Sequence, residues 1–160
     1  MRITMLPYIL LFSILLFVSC EEQSQLSSSQ REEIIQSVEQ MAKKFLQKLD
    51  AKQTDEAMDS IDSSAVFYFI AFGGSIKITK EDIAATYETE ISFKSKWNYI
   101  NIDPLTVNMA FFQGSFNQVA DDSTIENVDG KVVVSAVVLL RDYNWRFFKG
   151  QIYSEHIKDE

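Results

Sequence analysis

Ile34, Ile35, Val38, Met41, Ala42, Phe45, Leu46 and Leu49 recur at the spacing of one broad apolar stripe on a helix. Ser29 and Glu32 stand just ahead with the spacing of a capping box. A long helix is therefore expected from about Gln30 to Leu49. A stripe this wide needs a flat partner, which points to a sheet. Thr54, followed by Asp55 and Glu56, has the form of an N-cap with a favourable acidic first turn. It predicts a short helix running to about Ile61. Ala65 to Phe72 is apolar at nearly every position and reads as a strand buried on both faces. Gly73-Gly74 marks a turn, and Ser75 to Ile78 a short return strand. Thr79 then caps a further helix from Lys80 to about Glu90, with Ile83, Ala84, Tyr87 and Ile91 at helical spacing.

Beyond residue 92 the period changes to two. Phe93, Ser95, Trp97 and Tyr99 alternate with Lys94, Lys96 and Asn98, giving a strand to Ile102 that Asp103-Pro104 is expected to break. Leu105 to about Val119 reads as a long strand. Asp121 to Gly130 carries turn residues and ends in Asp129-Gly130, a strong hairpin signal. Lys131 to Arg141 is a strand apolar on both sides and so central. Asp142-Tyr143-Asn144 is a tight turn, and Trp145 to about His156 the last strand. The order is α-α-β-β-α-β-β-β-β, an α+β arrangement in which helices cover one face of a sheet joined by hairpins.

This order resembles the nuclear transport factor 2-like, or SnoaL-like, superfamily over residues 30–157. Three local patterns carry the likeness: the helix break "LDAKQTDEAM" (49–58), the glycine turn before the third helix in "GGSIKITKEDI" (73–83), and the closing hairpin "VDGKVVVSAVVLLRDYNWRFF" (128–148). The resemblance implies a cone in which a curved mixed or antiparallel sheet wraps around the long first helix. It also implies a pocket between the concave sheet face and the helices, and a homodimer formed through the sheet. The superfamily contains isomerases, dehydratases, cyclases and non-enzymatic association domains, so the fold does not choose a function.

The chain opens differently. Ile3 to Val18 is an apolar run behind a single charge, Arg2. It is short of the roughly 20 residues that a membrane-spanning helix needs, and has the form of an export signal. It ends at Cys20, the only cysteine, so no disulfide can form within the chain. Leu16-Phe17-Val18-Ser19-Cys20 resembles the lipobox of bacterial lipoproteins, in which the cysteine is lipidated and becomes the first mature residue. Residues 1–19 would then be a signal peptide. The polar stretch 20–29 would be a flexible tether with a reach of about 15–20 Å, and the membrane a partner through the lipid on Cys20. The expected address is the cell envelope, lipid-anchored at the outer membrane, on its periplasmic or surface face. A plain secretion signal and an uncleaved anchor are the alternatives.

Charge and chemistry narrow the rest. Fifteen basic residues against 23 acidic give a net charge of −8, which repels nucleic acid. One histidine, one cysteine and no carboxylates at ligand spacing argue against a metal site, and no phosphate loop or nucleophile triad calls for a cofactor. Proton-transfer chemistry needs a carboxylate or histidine in an apolar cavity, often with a tyrosine donor. The candidates are His156, Asp62 and Asp103, with Tyr68, Tyr87 or Tyr99. His156 sits near the chain end, and both aspartates stand beside turn residues, where aspartate is common for backbone reasons. Tyr68, Trp97, Tyr99, Phe111, Gln113, Asn117 and Gln151 are the residues expected to line a pocket for a small apolar ligand. These features favour a non-catalytic ligand-binding or protein-interaction domain over an isomerase or dehydratase.

Overall fold

The structure, a computed structural model, describes residues 26–71, 74–88, 91–120 and 130–156. Cys20, the signal at 1–19 and most of the expected tether lie outside the described residues, as do 121–129 of the turn before the last hairpin.

Helix α1 spans Ser28–Asp50. Its capping box is formed by Ser27 and Gln30, the hydroxyl accepting from the Gln30 amide while the Gln30 side chain accepts from the Ser27 amide. The expected pair Ser29 and Glu32 falls inside the helix. Two overlapping S-x-x-E/Q spacings compete here. The earlier one prevails because it lets Leu26 pack against the core. Ile34, Val38, Ala42, Leu46 and Leu49 form the buried edge of the stripe.

Helix α2 (Thr54–Met58) starts with Gln53 in the cap position, without a side-chain cap. Thr54 is thus its first helical residue, not its cap. The helix stops at Met58 because Ile61 already belongs to strand β1 (Ile61–Ala71). Strand β2 (Gly74–Ile78) returns along β1, and helix α3 (Lys80–Tyr87) follows, capped by Thr79 as expected.

Strands β3 (Phe93–Thr106), β4 (Met109–Ala120), β5 (Gly130–Arg141) and β6 (Asn144–His156) complete the sheet. Asp103-Pro104 does not break β3, which runs through to Thr106 with Pro104 opposite Ala110. Proline is tolerated because β3 is an edge strand, where a missing N–H costs no ladder bond. The chain turns instead at Val107-Asn108. The sheet order is β2-β1-β6-β5-β4-β3. Neighbours are antiparallel except β1 and β6, which are parallel. The sheet is therefore mixed, and β5 and β6 are both central.

The sheet wraps around α1. Val38 and Ala42 on the helix, and Phe112 and Val138 on the sheet, have no exposed surface. The C-terminal end of α1 is bolted to the free edge: Asp50 accepts the backbone N–H and the hydroxyl of Ser95, each at 2.7 Å. A charged acceptor thus covers part of an edge that would otherwise offer an unpaired donor.

Candidate functional site

The sheet curves more widely than α1 fills. Beyond the C-terminal half of the helix a cavity of about 390 Å³ remains between the concave face and α3. Its floor is aromatic. Phe45, Phe147, Phe112, Trp97 and Phe116 meet edge to face in a continuous run, with centroid separations of 5.6, 5.2, 5.8 and 5.1 Å. Such contacts fix ring orientation as well as burying area. Phe112 lies beneath the others, while Phe45, Phe147, Trp97 and Phe116 reach the cavity. Val132, Val134 and Ile152 extend the wall along β5 and β6, and Phe67, Phe69 and Ile78 close it along β1 and β2.

Helix α3 supplies the lip. Ile83 and Tyr87 face inward, and Asp82 and Thr86 stand at the rim. The Asp82 carboxylate turns back to cap its own helix, accepting from the Thr79 amide at 2.7 Å and from the Thr79 hydroxyl at 2.9 Å. These two bonds stabilise the charged form and hold its pKa below the ordinary carboxyl value. Tyr87 is pushed the other way. Burial raises its phenol, against the opposing bond from Gln118, and the Asp50 carboxylate adds to the rise. The phenolic oxygen accepts from Nε2 of Gln118 at 3.1 Å, which joins α3 to β4 at the cavity.

Of the pocket residues expected from the sequence, Trp97 lines the cavity. Tyr68, Tyr99, Phe111, Gln113, Asn117 and Gln151 do not, and strand parity is the reason. Tyr68 alternates with the inward Phe67 and Phe69, and Gln151 with the inward Ile152. Phe111, Gln113 and Asn117 alternate with the inward Phe112 and Phe116. Tyr99 lies two residues from Trp97, but a bulge at Asn98 puts it opposite Ser115 on the outer face. The Asn98 amide bonds there to Ser115 and Asn117.

Asp62 is buried away from the cavity. It accepts the hydroxyl of Ser64 at 2.6 Å and its backbone N–H at 2.9 Å, with Arg141 3.7 Å distant. Asp103 is exposed and pairs with Arg31 at 3.6 Å. The backbone of His156 pairs with Gly130 at the end of β6, and its side chain falls outside the described residues. Among the described residues no group of three His, Cys, Asp or Glu could hold a metal ion, and no helix is long and apolar enough to cross a membrane. Of the candidate tyrosines, Tyr87 reaches the cavity. Gln118 carried no signal of its own, because the parity of β4 follows only from its register with β3 and β5.

No protein-family model matches the sequence, and no curated protein does either. Solved structures match at the level of the fold. A candidate scytalone dehydratase from Novosphingobium aromaticivorans superposes with a TM-score of 0.68 at 16% identity, covering 84% of this chain and 92% of its own. A nuclear transport factor 2-like protein from Cytophaga hutchinsonii gives 0.61 at 16% identity, over 74% and 95%. A candidate calcium/calmodulin-dependent protein kinase II association domain from Xanthomonas campestris gives 0.60 at 16% identity, over 74% and 85%. The long helix cradled by a six-stranded mixed sheet is the nuclear transport factor 2-like cone fold.

Proposed function

We propose that this chain is a non-catalytic binding protein of the cell envelope. It is moored through a lipid on Cys20 and takes one small, uncharged, mostly apolar molecule into the cavity between α3 and the sheet. The observation that carries this reading is the state of the two ionisable groups at the site. Asp82 is committed to the α3 cap and is a weakened base, while Tyr87 keeps its proton. Neither is poised near neutral pH, as a general acid or base would be. The aromatic floor and aliphatic walls supply affinity through buried area.

Binding of a hydrophobic naphthalene dye, followed by quenching of tryptophan emission, tests the reading. Wild type should bind the dye, and Val134→Phe, which fills the cavity from β5, should lose binding while keeping its melting temperature within a few degrees. Equal binding by both proteins would overturn it.

A second reading is a proton-transfer enzyme of the isomerase or dehydratase kind. The phenol of Tyr87, a donor facing an apolar cavity, favours it, as does the structural likeness to a candidate scytalone dehydratase. Mass spectrometry of small molecules that co-purify, before and after incubation with the protein, separates the two: unchanged ligand supports binding, a converted one catalysis.

A further inference from the structure

The hydrogen-bonding groups around the cavity are unbalanced. Gln118 donates to the Tyr87 oxygen, so that oxygen's acceptor role is taken. Its own proton finds no acceptor among the described residues. Trp97, which also lines the cavity, has its indole Nε1 buried with no partner. The only other buried side-chain atom left bare among the described residues is also a donor, Nε of Arg146. No buried side-chain acceptor there lacks a partner. A bare buried donor is costly, and a ligand that supplies an acceptor recovers that cost. Negative charge is excluded by the surroundings: Asp82 stands at the rim, the field of Asp50 reaches the Tyr87 oxygen, and the chain as a whole is acidic.

Resting on the reading of the cavity as a ligand site, we infer that Tyr87, held in place by Gln118, is the residue that selects the ligand's polar group. It donates its hydroxyl proton to a neutral carbonyl oxygen, that of a ketone, ester or amide, borne on an apolar body. Hydrocarbons of the same shape bind less well because they leave the phenol bare. Carboxylates bind less well because their charge meets Asp82 and Asp50. Gln118 positions the phenol and the apolar walls hold the body.

Three probes sharing one ring system test this on the folded chain: acetyl-dimethylaminonaphthalene, its ethyl analogue, and the matching naphthoate. Wild type should bind the ketone tightest. The emission of the bound ketone should be red-shifted, as it is when that carbonyl accepts a hydrogen bond. Tyr87→Phe, which removes one oxygen and leaves the ring, should weaken the ketone roughly three- to tenfold. It should also shift the bound emission to the blue, and leave the ethyl analogue unchanged or tighter. Ketone affinity and emission unaltered in Tyr87→Phe, or naphthoate binding tightest in wild type, would overturn the selective role of Tyr87 and leave the ligand site standing. Failure of all three probes to bind would overturn the ligand site itself, and this inference with it.

Discussion

Trp97 and Gly114 occupy one shared volume. A β-carbon at position 114 would lie 2.7 Å from Cζ3 of Trp97 and 2.9 Å from Cζ of Phe112. The indole can approach β4 this closely only because the strand has no side chain there. Gly114→Ala should therefore push Trp97 off the cavity floor. A loss of about 1–3 kcal/mol is expected from such overpacking, read as a lower denaturant midpoint, together with weaker dye binding.

Phe112 has no exposed surface and meets both Trp97 and Phe147 edge to face. Phe112→Ala leaves a hole under the aromatic floor. The expected cost is about 3–5 kcal/mol, measured by chemical denaturation. Phe112→Leu should recover part of it.

The Asp62 carboxyl is held below its ordinary value of 3.8, first by the hydroxyl of Ser64 and then by its backbone N–H, with Arg141 and Arg146 assisting against burial. A group more acidic in the folded state adds stability above the unfolded value, and loses it as pH falls through the folded one. Asp62→Asn should thus cost about 1–3 kcal/mol at neutral pH, the range for bonds to a charged group. The gap between variant and wild type should narrow as unfolding is repeated at pH values below 3.8.

Asp142 and Tyr143 both have positive φ, 49° and 64°, as a two-residue type I′ hairpin requires. Tyr143 is almost wholly exposed, so its ring gains nothing from burial in return for the strain. Tyr143→Gly makes the favoured Asp-Gly pair. It should stabilise the protein by up to about 1 kcal/mol, net of the extra freedom glycine has when unfolded, visible as a higher melting temperature.

The proposed mooring makes a separate prediction from the sequence around position 20. Full-length protein expressed in a bacterial host should fractionate with membranes and carry an added acyl mass on Cys20. Cys20→Ser should move it to the soluble fraction. A wild-type chain recovered with residues 1–19 attached and no acyl mass would count against the lipid.

Most of the architecture was legible in the sequence because it rests on local signals. The stripe from Ile34 to Leu49, the Thr79 cap and the Asp142-Tyr143 turn each declare themselves within a few residues. Local pattern misleads where a longer-range choice decides the outcome. Ser27 and Ser29 both have capping-box spacing, and only the docking of Leu26 separates them. Pro104 reads as a break until β3 is known to be an edge. The cavity was the least legible part. Strands such as Val132 to Leu140 are apolar on both sides, so their pattern does not say which side is concave. Tyr68, Phe111 and Gln151 have the right chemistry for a pocket wall on the wrong parity. Tyr87 was recoverable as a candidate donor because helical spacing placed it inward on α3, whereas its partner Gln118 depended on strand register.

The single extra residue at Asn98 has a consequence for how this strand tolerates change. The stretches before and after it are each in phase with β4, but not with one another. Removing Asn98 would set the pairs Trp97–Phe116 and Tyr99–Ser115 side by side in one unbroken frame, with Tyr99 still outward and Ile100 and Ile102 still against the core. Substitutions on either side stay local. A one-residue deletion elsewhere in the strand has no spare residue to absorb it and would turn part of the sheet's margin inside out.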